Sequence, residues 1–77
     1  MKTYVVIGLG RFGTAVAAEL CKLGHEVLAV DKDTELVEAL APYVTQAVQA
    51  DATEEAALEA LGIRNFDAAI VAIGNVR

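Results

Sequence analysis

Apolar positions along the chain alternate between two periods, and this alternation predicts a succession of strands and helices. Thr3 to Ile7 is an unbroken β-branched and aromatic run, the pattern of a strand covered on both faces. From Arg11 to Leu23 the larger apolar residues fall at Phe12, Val16, Leu20 and Leu23, which is helical spacing, and Gly24 supplies the stop. Glu26 to Val30 predicts a second strand. Asp33 or Thr34 then caps a helix that sets Leu36, Val37, Leu40 and Ala41 on one face and ends at Pro42. Thr45 to Ala50 predicts a weaker third strand. Thr53 is the expected cap of a third helix, with Glu54 and Glu55 in the first turn, where carboxylates complement the helix dipole. Ala57, Leu58 and Leu61 give that helix its apolar side and Gly62 closes it. Ala68 to Ile73 predicts a fourth buried strand, stopping at Gly74.

The order β-α-β-α-β-α-β implies a parallel sheet with right-handed crossovers. Gly8, Gly10 and Gly13 stand in G-x-G-x-x-G register between the first strand and the first helix. Gly8 permits the tight turn, Gly10 lets backbone approach a pyrophosphate, and Gly13 permits close helix-strand packing. Free N–H groups of Arg11, Phe12 and Gly13, aligned with the helix dipole, make an anion site. These features predict an α/β, Rossmann-type sheet with strand order 3-2-1-4 and a ligand crevice between the first and fourth strands. Such a fold normally continues for two more strands. Residues 1–77 are therefore expected to form one nucleotide-binding domain that is truncated after its fourth strand. The unfinished sheet edge points to a shortened chain or to one that completes itself by self-association.

Asp31 ends the second strand, where an acid accepts hydrogen bonds from ribose hydroxyls; the alternative is a plain helix-capping role. Its charge would repel a 2′-phosphate, so ATP, ADP or NAD(H) is expected and NADP(H) is disfavoured. Arg11 can fork onto phosphate oxygens, and a guanidinium at a helix start is otherwise opposed by the dipole. Lys32 is expected in solvent or along the adenine, and Asp33 is a better capping candidate than Asp31. Asp51 could receive the adenine amino group and the Ala52 backbone could contact the base, whereas Thr53 is mainly a cap. The bland alternative is a simple strand-to-helix turn. Ile73, Gly74 and Asn75 are expected to line the pocket below the ribose and phosphates.

Size and charge narrow the possibilities further. A chain of 77 residues makes at most one small domain. A hydrophobic share of 56% with only 5% aromatic suits buried parallel strands built from Ala, Val, Leu and Ile. The net charge of −5, with basic residues scattered, argues against nucleic acid or an acidic membrane surface as partner. The lone Cys21 lies in the first helix and is expected to be structural, in a reducing compartment. No apolar run approaches the roughly 20 residues of a membrane span, and Met1 to Ile7 is too short for a signal peptide. A cytoplasmic location is expected. His25, at the start of the second strand, is expected to be a turn histidine remote from the ligand. No metal-ligand spacing and no catalytic grouping can be assembled, so no catalytic and no metal-binding residue is assigned.

Taken together, Val5 to Gly13, Gly24 to Asp31, Ala52 to Glu55, and Leu61 to Phe66 running into Ile70 to Gly74 resemble the N-terminal nucleotide-binding domain of potassium-uptake regulators. This is the RCK or TrkA-N family, and the likeness is strongest to Ktr-type regulatory subunits. The resemblance implies a regulatory module that binds ATP, ADP or NAD(H) through Gly10, Arg11, Phe12, Asp31, Lys32, Asp33, Asp51, Ala52 and Ile73 to Asn75. It also implies assembly into a homo-oligomer at the inner face of a membrane potassium channel or transporter. The competing function is the cofactor half of an NAD-dependent oxidoreductase. The loop Arg, the Gly-Ile-Arg-Asn-Phe run and the lack of a catalytic acid or base favour the sensor.

Overall fold

The structure is a computed structural model and describes residues 1–72. Four strands, β1 (Thr3–Ile7), β2 (Glu26–Asp31), β3 (Gln46–Gln49) and β4 (Ala68–Val71), form one sheet in the order β3-β2-β1-β4. Every pairing is parallel. The helices α1 (Arg11–Lys22), α2 (Thr34–Leu40) and α3 (Glu55–Ala60) are the crossovers, with short 3-10 turns at Ala41–Tyr43 and Ile63–Asn65. The expected Rossmann-type architecture and strand order are therefore present.

Because parallel strands need crossovers, the sheet is covered on both faces. Val6, Val27 and Ala29 pack with Ala17 of α1 and with Val37 and Leu40 of α2. The alternate residues Val5, Ile7, Leu28 and Val30 face the opposite way, against Leu58, Leu61, Ile63 and Phe66. Val5, Val6, Ala29 and Val30 are completely inaccessible, and burial of each valine stabilises the fold by about 1.5–3 kcal/mol. The start of β1 is stapled to the last crossover by one pair of residues. Thr3 donates to Asp67 Oδ2 from its amide (2.8 Å) and its hydroxyl (3.1 Å). In return the Asp67 amide donates to the Thr3 carbonyl at 2.9 Å. These donors hold the Asp67 carboxyl below the usual carboxylate range, the backbone bond contributing most.

Several details differ from the pattern in the sequence. The buried line of α1 runs through Gly13 and Ala17, while Phe12 and Leu23 are 67% and 63% exposed. The small residues face the sheet because they let the helix lie close to it. On α2, Val37 and Leu40 are buried but Leu36 and Ala41 are exposed, because the chain tightens into a 3-10 turn at Ala41. β4 is only half covered: Ala69 and Val71 are exposed on the α3 face. Nothing among the described residues lies over them, so the run that predicts full burial is open on this face. The third helix starts later than expected. Glu54, not Thr53, occupies its N-cap position, and without a side-chain cap.

Candidate functional site

A cleft of about 310 Å³ opens where the carboxyl ends of the strands meet, at the β1–β4 switch point. It is lined by the ends of β1 (Ile7) and β2 (Val30, Asp31), by the loops that follow β1, β2 and β3, and by Ala72 after β4. Among the expected site residues it gathers Gly8, Gly10, Asp31, Lys32, Asp51, Ala52 and Thr53. The apolar floor of Ile7, Leu9, Val30, Ala50 and Ala72 was not singled out in the sequence. Its signal was available, since each of these residues ends or follows a parallel strand on the carboxyl side.

The glycine loop is built by three different constraints. Gly8 turns the chain at φ 97°, a left-handed conformation that a side chain would strain. Its amide donates to the Val30 carbonyl at 2.9 Å, which latches the loop to β2. At Gly13 a Cβ would lie 1.8 Å from the Gly8 carbonyl oxygen, so only glycine lets α1 sit this close to β1. Gly10 is different. It is the N-cap of α1 at φ −71° and ψ −163°, extended backbone open to any residue, and a Cβ there would meet nothing among the described residues within 4 Å. Neither local conformation nor packing against the described residues demands a glycine at this position.

The first amides of α1 have no partner four residues back, and the Gly10 carbonyl accepts from Thr14 at 2.9 Å. Arg11, Phe12 and Gly13 thus present N–H groups at a helix start that no side chain caps. The side chains of Arg11 and Phe12 are exposed and are not among the cleft-lining residues. Whatever Arg11 does, it does from the solvent side of the loop.

Asp31 is held firmly. Its Oδ2 accepts the Leu9 amide at 2.7 Å and its Oδ1 accepts the Asp33 amide at 2.8 Å. Asp31 therefore does not cap α2; Asp33 does, accepting the Glu35 amide at 2.9 Å. Asp33 Oδ1 makes that cap, and Asp33 lies outside the cleft lining. Lys32 is exposed along the rim, its carbonyl accepting Gln49 Nε2 at 3.0 Å.

Asp51 faces its own loop. Oδ1 accepts both the Thr53 hydroxyl (2.6 Å) and the Thr53 amide (2.9 Å). The turn forms because the short Asp side chain reaches the backbone two residues on. The Thr53 hydroxyl bond is the main cause of the lowered Asp51 carboxyl pKa; the Thr53 amide and the Lys32 charge add to it. This corrects one expectation: Thr53 supports Asp51 rather than capping α3. The turn itself is the bland alternative that the sequence left open.

His25 lies at the far end of the sheet, its Nδ1 accepting the Lys2 amide at 3.1 Å and its ring edge-on to Tyr4. Cys21 is half-buried, 3.9 Å from the Thr45 hydroxyl. Ile73, Gly74 and Asn75 lie outside the described residues. Among the described residues, no group of three or more His, Cys, Asp or Glu side chains could hold a metal ion. No helix among them is long and apolar enough to cross a membrane.

Comparison with known proteins places this geometry in a family. The chain is 60% identical over 73 residues to Ktr system potassium uptake protein A of Bacillus subtilis, covering 95% of this chain and 33% of the relative. It is 48% identical over 73 residues to Ktr system potassium uptake protein C of the same organism, with the same coverage. The chain thus spans about a third of the length of these curated relatives. Among solved structures, N5-carboxyaminoimidazole synthetase from Staphylococcus aureus complexed with ADP superimposes with a TM-score of 0.78 at 25% identity. That match covers 99% of this chain and 20% of the synthetase. The sequence profile of the TrkA-N domain matches residues 4–77, and the chain belongs to the TrkA-N domain family.

Proposed function

We propose that residues 1–77 form a nucleotide-binding domain that acts as the regulatory sensor of a potassium channel or transporter. Its ligand is an adenine nucleotide, ATP or ADP, or NAD(H), bound in the strand-end cleft. One observation carries this reading: among the described residues nothing in conformation or packing requires glycine at Gly10, yet it lines the cleft at the uncapped start of α1. A glycine whose missing Cβ faces open space in a cleft leaves room for a ligand to approach the backbone.

In this scheme the phosphates sit against the amides of Gly10, Arg11, Phe12 and Gly13, and Arg11 folds over them from outside the loop. Ribose hydroxyls donate to Asp31. A carboxylate offers about four acceptor positions, so two bonds to backbone amides leave capacity for a sugar. A 2′-phosphate would meet the same negative charge, which disfavours NADP(H). Adenine lies toward Asp51 and Ala52, with Lys32 along the rim. Asp33 and Thr53 serve the site indirectly by shaping the two rim loops. ADP in the structurally similar synthetase and the potassium-uptake names of the relatives support the ligand class and the biological setting. The module works in the cytoplasm, as a homo-oligomer at the inner face of the membrane beside a transporter subunit, and performs no catalysis.

Calorimetric titration with ATP, ADP, NAD+, NADH and NADP+ tests the proposal. Saturable binding of at least one adenine nucleotide, with NADP+ weaker than NAD+, is expected. Absence of binding by all five, or preference for NADP+, overturns it.

A further inference from the structure

Asp31 sits at the crossing of three strand ends, and its carboxylate is committed before any ligand arrives. Oδ2 takes the Leu9 amide, Oδ1 takes the Asp33 amide, and the Asp31 carbonyl takes the Ala50 amide at 3.0 Å. Leu9 is held by every part it has: its side chain is 1% exposed, and its carbonyl accepts the Thr14 hydroxyl at 2.9 Å. The residue between Gly8 and Gly10 is therefore pinned, and its amide points at β2. With the Gly8 amide on the Val30 carbonyl, the amides of Gly10, Arg11, Phe12 and Gly13 are the ones left for an anion.

We propose that Asp31 is a positioning residue for the phosphate loop, and that anion affinity depends on its carboxylate even when the ligand carries no sugar. The inference rests on the nucleotide reading of the cleft and deepens it. It makes a prediction opposite in sign to simple electrostatics. Removing a negative charge beside an anion site should strengthen anion binding. Removing the clasp should weaken it, because Asn offers one carbonyl oxygen to two amide donors and turns its NH2 against the other. Sugar and phosphate parts of the site would then be coupled through one side chain.

The test compares the wild-type chain with Asp31→Asn, using inorganic pyrophosphate as the probe and ADP as a separate arm. Pyrophosphate affinity is expected to fall at least about tenfold in the variant. Amide hydrogen exchange at Leu9 is expected to speed up by a similar factor, while the Val5, Val6 and Ala29 amides keep their protection. Equal or tighter pyrophosphate binding, or unchanged Leu9 exchange, overturns the proposal. If the variant does not fold, the wild-type chain decides: Leu9 lies outside every strand and helix, and slow exchange of its amide is expected. Exchange as fast as in an unstructured peptide overturns the clasp. A wild-type chain that binds ADP while Asp31→Asn keeps its pyrophosphate affinity leaves the nucleotide reading standing and removes this one. A wild-type chain that binds neither probe removes both.

Discussion

Replacing Gly13 by Ala and, separately, Gly10 by Ala should split stability from binding. At Gly13 the new methyl would lie 1.8 Å from the Gly8 carbonyl oxygen, 2.9 Å from its carbon and 3.3 Å from the Ala72 Cβ. Two of the three obstacles are backbone, so no side-chain rotation relieves the clash, and α1 must move off β1 by more than an ångström to reach the 3.0 Å approach that real Cβ atoms keep. That displacement opens the core around Val6, Leu9 and Ala17. Overpacking of this kind costs about 1–3 kcal/mol and sometimes more. A domain of this length has only about 4–11 kcal/mol in total, and at about 4–8 °C per kcal/mol a melting temperature lower by about 4–24 °C is expected for Gly13→Ala. At Gly10 the backbone suits alanine and the space is open, so stability should change by less than about 1 kcal/mol. ADP affinity should nevertheless fall at least about tenfold, because the methyl occupies the approach of the phosphates. Thermal unfolding by circular dichroism and calorimetric ADP titration read the two effects. A Gly13→Ala chain melting within 3 °C or so of wild type, or a Gly10→Ala chain that binds ADP as tightly as wild type, would refute the reasoning.

Other consequences follow from particular contacts. Leu9→Ala removes a side chain that is 1% exposed and should cost about 2–5 kcal/mol, seen as a lower urea midpoint. Arg11→Ala, at an exposed position, should leave stability within about 0.5 kcal/mol while weakening ATP more than NAD+. Equal weakening would make Arg11 a general phosphate anchor. The depressed Asp67 carboxyl stabilises the fold above its ordinary value of about 3.9, and that contribution is lost as pH falls through the lower folded value. Asp67→Asn should therefore melt below wild type at pH 6, with the gap closing as pH drops toward 2. A gap independent of pH would remove the charge from the explanation.

The fold was legible because its strongest signals are periodic. The β-branched runs at Thr3–Ile7 and Glu26–Asp31 and the capped helix after Asp33 appear where the sequence puts them. Misread positions are those where burial is set by partners distant in sequence. Phe12 has helical spacing, but the face that meets the sheet is chosen by the small residues Gly13 and Ala17. β4 looks like an interior strand, yet Val71 is 66% exposed because nothing among the described residues covers that face. In the site, residue type alone located Gly8, Gly10 and Asp31. It could not show that Asp31 grips Leu9, or that Thr53 serves Asp51, because both depend on rotamers fixed by folding.

Mapping the ADP site by amide chemical shifts in a uniformly 15N-labelled chain tests the central claim most directly. Saturable shifts are predicted at Gly10, Arg11, Phe12, Gly13, Asp31 and Ala52, with Lys2, His25 and Asp67 at the opposite sheet end unmoved. Shifts concentrated at that opposite end, or no saturable shift at the glycine loop, would contradict the assignment of the cleft as a nucleotide site.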